Sequence, residues 1–83
     1  MGQVAVKLKI YPESINELEE LKERLNSQLN PTSLYEEPIA FGMKALVITV
    51  IIPDSAGGSD LLEEKVKKIN GVSQVQIEEA SLI

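Results

Sequence analysis

Eighty-three residues, 43% hydrophobic and 25% charged, suit one folded domain with a modest core. There is no cysteine and no histidine, which excludes disulfides, thiolate zinc sites, cysteine nucleophiles and the commonest general base. The net charge of −5 is spread evenly, with four bases and seven acids in residues 1–41 and four bases and six acids in 42–83, so no basic face for nucleic acid is expected.

In chain order, Val4, Val6, Leu8 and Ile10 alternate with Gln3, Ala5, Lys7 and Lys9, the pattern of a half-buried strand that Tyr11-Pro12 stops. Lys7 and Lys9 also break any signal-peptide core, and Val6 stands where a myristoylation motif wants Ser or Thr. Ser14 and Glu17 stand in capping-box register ahead of a helix whose apolar stripe is Ile15, Leu18, Leu21, Leu25 and Leu29. Asn30-Pro31 ends it. Residues 34–40 read as a weaker strand, and Pro38 assigns it to a sheet edge.

Residues 45–52 form the strongest apolar run, broken only by Thr49. Its β-branched content predicts a central strand, and it is far short of the ~20 residues of a membrane helix. Residues 53–58 read as a loop, and Gly57-Gly58 as a plain turn that lacks the lysine of a phosphate loop. Ser59 or Asp60, the latter in register with Glu63, caps a second helix with Leu61/Leu62, Lys65/Val66 and Ile69 as its stripe. Asn70-Gly71 closes it, residues 72–77 form a last strand with Val75 and Ile77 on one face, and 78–83 remain as a tail.

The order β-α-β-β-α-β with two right-handed crossovers predicts an α+β, ferredoxin-like domain. It has a four-stranded antiparallel sheet, strand order 4-1-3-2, with two helices on one face. Little in it resembles a catalytic site. The acid pairs Glu36-Glu37, Glu63-Glu64 and Glu78-Glu79 point apart on strands or lie ~100° apart on helices, so they read as solvated surface carboxylates. Arg24 lies mid-helix among acids, where a surface ion pair is the natural reading. Tyr11, Tyr35 and Phe41 all miss the middle of the predicted central strands.

What stands out is Ile39-Ala40-Phe41-Gly42-Met43, an apolar patch at the tip of a predicted hairpin, with Gly42 free to take a positive φ. Two readings are open. Phe41 folds back onto the core, or it projects as a knob that anchors a protein interface.

At these residues the chain resembles the archaeal translation elongation factor 1-beta family and the C-terminal exchange domain of its eukaryotic counterpart. The resemblance is carried by the run from Glu37 to Leu46 (EPIAFGMKAL), by Tyr11-Pro12-Glu13-Ser14, by Gly57-Gly58 and by Gly71-Val72-Ser73. It implies a single guanine-nucleotide exchange domain over 1–83 that acts on the GTPase elongation factor 1-alpha, in both GDP-bound and nucleotide-free forms. It also implies that Phe41 docks into the GTPase, surrounded by Ile39, Gly42, Met43 and Lys44, and that the C-terminal residues Leu82 and Ile83 disturb the magnesium and phosphate end of the nucleotide site. Eukaryotic members place a lysine next to last, where this chain has Leu82. Such a factor breaks no bond, so no catalytic residue, cofactor or metal is expected of it. A cytoplasmic protein, monomeric when free and without nucleic-acid or membrane partners, completes the expectation. The alternative is a small ferredoxin-like ligand-binding or regulatory module with no GTPase partner, self-associating through an edge strand and holding a small molecule between sheet and loops.

Overall fold

A computed structural model describes residues 2–54 and 58–83. The alternation of the opening residues becomes β1 (Gln3–Pro12), with Val6, Leu8 and Ile10 fully buried. The predicted capping box is replaced by a tighter turn. Ser14 Oγ accepts from the Asn16 amide at 3.3 Å, and the Glu17 amide donates to the Ser14 carbonyl at 3.1 Å. The helix α1 therefore starts only at Leu18 and runs Leu18–Leu29. Ile15 falls in that turn and is exposed rather than in the stripe, which consists of Leu18, Leu21 and Leu25, with Leu29 partly buried. Asn30 takes the left-handed conformation, φ 47°, and its amide returns to Asn26 before Pro31 turns the chain.

An edge strand β2 (Ser33–Pro38) pairs antiparallel with β3 (Lys44–Pro53). Pro53, predicted in the loop, is the last residue of β3, opposite Gln3, where a proline is tolerated because the ladder ends there. Of the predicted loop, residues 55–57 lie outside the described residues, and so does Gly57 of the predicted Gly57-Gly58 turn. The second helix α2 (Gly58–Lys67) already includes Gly58, so Ser59 and Asp60 lie within its first turn rather than at its cap. Leu62 and Val66 on α2, and Ile69 just beyond it, face the core. Leu61 does not and is 70% exposed.

The last strand β4 (Val72–Leu82) is longer than predicted, because the expected tail is paired with β1 as far as Leu82 opposite Val4. The reason is a bulge. Leu8 pairs with Ile77 but Lys7 pairs with Glu79, which leaves Glu78 as the extra residue. Beyond it the phase of the strand shifts, so that Ala80 and Leu82, not Glu79 and Ser81, stand opposite Val6 and Val4.

The sheet order is β2-β3-β1-β4, all neighbours antiparallel, which is the predicted 4-1-3-2 read from the other edge. Val6, Leu8 and Ile10 pair with Val50, Ile48 and Leu46, and this single face meets Leu18, Leu21 and Leu25 of α1 together with Leu62, Val66 and Ile69. Both helices thus cover one side of the sheet. Gly71, at φ 98°, reverses the chain between Ile69 and β4. A Cβ there would also come within 3.1 Å of the Arg24 guanidinium, which donates to the Asn70 carbonyl at 2.9 Å and pairs with Glu20.

Candidate functional site

The β2–β3 ladder ends at the pair Pro38–Lys44, and residues 39–43 form the tip. The Ile39 amide donates to the Met43 carbonyl at 2.9 Å and the Met43 amide to the Ala40 carbonyl at 3.3 Å, which places Phe41 and Gly42 at the bend. Both have positive φ, 63° for Phe41 and 74° for Gly42, as in a type I′ turn. Gly42 is needed for its backbone, since a Cβ there would meet nothing within 4 Å. Phe41 takes the left-handed region at a cost of roughly 1–2 kcal/mol for an L-residue. No side-chain packing among the described residues offsets that cost, because the Phe41 side chain is 100% exposed. The ring therefore does not fold back onto the core. Ile39 and Met43 are partly buried at its base, and Ala40, Gly42 and Lys44 are exposed.

The strand that carries this tip is tied down on both faces. Glu36 lies on the helix side, opposite Leu46, and accepts from Lys22 of α1 and, at 3.1 Å, from Lys44. Glu37 points to the other side and pairs with Lys9 of β1 at 2.7 Å. Because β3 lies between β1 and β2, that contact spans two inter-strand spacings, about 9.6 Å. The Lys9 stem lies beside Val47, its ladder partner, and Val47 and Ala45 are buried although they face away from the helices. The Lys9 ammonium is also 5.7 Å from the centre of the Tyr11 ring. Glu36 and Glu37 are therefore not the solvated acids the sequence suggests. The pairing with Lys22 first, then Lys44, holds the Glu36 carboxyl below the usual carboxylate range. Lys22 is held above the usual lysine range by Glu36 and then Glu19, and Lys9 likewise, chiefly by its bond to Glu37. A signal for these contacts did exist. Once β3 lies between β1 and β2, alternation alone puts Lys9 and Glu37 on the same open face.

Ile39, Phe41, Gly42, Met43 and Lys44 are thus gathered at one end of the sheet, and Lys44 is ion-paired rather than free. Leu82 and Ile83 stand at the opposite end. Leu82 is 72% exposed beside Val4, and the Ile83 amide donates to the Gln3 carbonyl at 2.9 Å. The nine residue steps of β3 separate the two ends by about 30 Å. Among the described residues there is no cavity of the kind a ligand-binding module would use, and no helix is long and apolar enough to cross a membrane.

Fold and site together define a ferredoxin-like α+β domain that presents an apolar hairpin tip at one end of its sheet. Residues 5–83 match the family described as the EF-1 guanine nucleotide exchange domain, and the chain belongs to that family. Elongation factor 1-beta of Methanosarcina acetivorans is 46% identical over 86 residues, spanning 96% of this chain and 97% of that protein. The elongation factor 1-beta proteins of Natronomonas pharaonis, 41% identical with all of both chains covered, and of Staphylothermus marinus, 46% identical over 94% of this chain and 93% of that one, are similar in extent. Among solved structures, the ACT domain from the GTP pyrophosphokinase of Chlorobium tepidum superposes with a TM-score of 0.65 over 90% of this chain and 85% of that one. At 12% identity it shares the fold alone.

Proposed function

We propose that this chain is the exchange factor of elongation factor 1-alpha, promoting GDP release during translation elongation. The reading is carried by family membership together with a fully exposed phenylalanine held in a costly turn conformation. Phe41 is the anchor, seated in the GTPase with Ile39, Gly42, Met43 and Lys44 around it, while Leu82 and Ile83 approach the magnesium and phosphate side of the nucleotide site. The physics is linkage. A partner that binds the empty GTPase more tightly than the GDP-bound form must weaken GDP binding by the same factor. No bond is made or broken, so the domain is not an enzyme and acts without a cofactor or metal of its own. It works as a single cytoplasmic domain, monomeric when free, and without nucleic acid or membrane.

The test is release of a fluorescent GDP from elongation factor 1-alpha. Adding the domain should accelerate release, and Phe41→Ala should weaken the complex by about 2 kcal/mol or more, as expected for a central aromatic anchor. Because the ring is fully exposed among the described residues, the melting temperature of the variant should hardly move. Unchanged GDP release with the unmodified domain would overturn the reading.

A further inference from the structure

Glu36 and Glu37 are consecutive residues on an edge strand whose only sheet partner among the described residues is β3, and that strand carries a tip whose Phe41 is fully exposed. β3 is paired with β1 only as far as Leu46, the partner of Glu36, so the pairs Glu37–Ala45 and Pro38–Lys44 form a two-stranded ribbon, the most strongly twisted kind of sheet. Successive strand residues point to opposite faces. Here the pair uses that property: one carboxylate reaches α1 and the start of β3 on the helix side, the other reaches β1 across β3 on the open side. Their partners Lys22 and Lys9 are themselves mostly covered, at 22% and 18% side-chain exposure, and sit on the two elements that flank the hairpin.

We infer that Glu36 and Glu37 are positioning residues that brace the hairpin from both faces and fix the direction in which Phe41 projects. The inference rests on the proposed docking of Phe41, and it concerns residues that need make no contact with the partner. Apparent affinity scales with the fraction of molecules in the docking-competent orientation. If loss of both braces leaves that orientation populated about a quarter of the time, the dissociation constant rises about fourfold.

The test has two independent arms. In the free domain, backbone relaxation by NMR should show residues 40–43 gaining motion in the Glu36→Ala/Glu37→Ala double variant, with β1, β3 and both helices unchanged. Glu37→Lys, which sets two ammonium groups over Val47, should loosen the tip on its own, and adding Lys9→Glu should restore it. Equal tip order in the parent and the double variant would overturn the brace whatever the partner does. In the second arm, affinity for nucleotide-free elongation factor 1-alpha should fall about fourfold in the double variant, yet not fall further in a Phe41→Ala background, because the braces act through that ring. A loss that persists in the Phe41→Ala background would show the glutamates touching the partner directly and would also overturn the inference. If Phe41→Ala itself leaves affinity unchanged, the docking reading fails while the free-domain arm still decides the brace.

Discussion

At the scale of single residues, Phe41 is where local preference and structure disagree. A two-residue bend with both φ values positive favours Asn-Gly, yet this chain has Phe-Gly there. Departures of this kind concentrate where function requires them. Phe41→Asn should therefore raise unfolding free energy by about 1 kcal/mol in urea titration, while losing most affinity for the GTPase. A variant that is destabilised instead would mean that the ring supports the fold. Glu36 gives a pH signature at the same scale. Its carboxyl titrates low because Lys22 and Lys44 face it, so its contribution is present above the ordinary carboxylate value and is lost as pH falls through the lowered one. Lys22, faced by Glu36 and Glu19, titrates high, so its share is lost only as pH rises through the raised value. Tip order by NMR should accordingly stay level through neutral pH and fall only in acid below the ordinary carboxylate range.

At the scale of elements, β4 shows what a bulge does to a strand. With residues 79–82 in the sheet, deleting residues 79–83 exposes the edge of β1 from Val4 to Lys7 and should lower stability by about 1–2 kcal/mol in denaturant melts, where loss of a free tail would change nothing. The same bulge marks a limit of what the sequence makes legible. Unbroken alternation from Val75 and Ile77 would aim Glu79 and Ser81 at the core, so the pattern stops there, and only the slip at Glu78 puts Ala80 and Leu82 opposite Val6 and Val4 instead. The limit is different at α1. Ser14 and Glu17 suit a capping box, but a three-residue turn captured both groups first, and no residue pattern separates the two outcomes. The strands and helices of the core were legible, because Val6, Leu8, Ile10, Leu21, Leu25 and Ile48 repeat at the periods their elements require. The ion pairs were legible only in part: the predicted strand order already puts Lys9 and Glu37 on one open face, whereas the reach of Lys22 to Glu36 depends on how α1 packs across the sheet.

At the scale of the whole molecule, the sheet is a spacer. Its central strands β1 and β3 are paired along eight residues and buried against both helices, so the hairpin tip and the end of β4 are held about 30 Å apart within a domain 41 Å long. A partner gripped by both ends must offer two separate surfaces at that span, and neither end can make up for misplacement of the other by bending the sheet. Sites this far apart with no shared neighbours act independently, and their mutational costs add to within about 0.5 kcal/mol. For affinity to nucleotide-free elongation factor 1-alpha, the loss in Phe41→Ala/Leu82→Ala should therefore equal the sum of the two single losses. A double variant no weaker than Phe41→Ala would place the whole grip at the hairpin and leave Leu82 outside the interface. A loss well beyond the sum would mean that the two contact surfaces are coupled, which for ends this far apart points to a change in the GTPase itself.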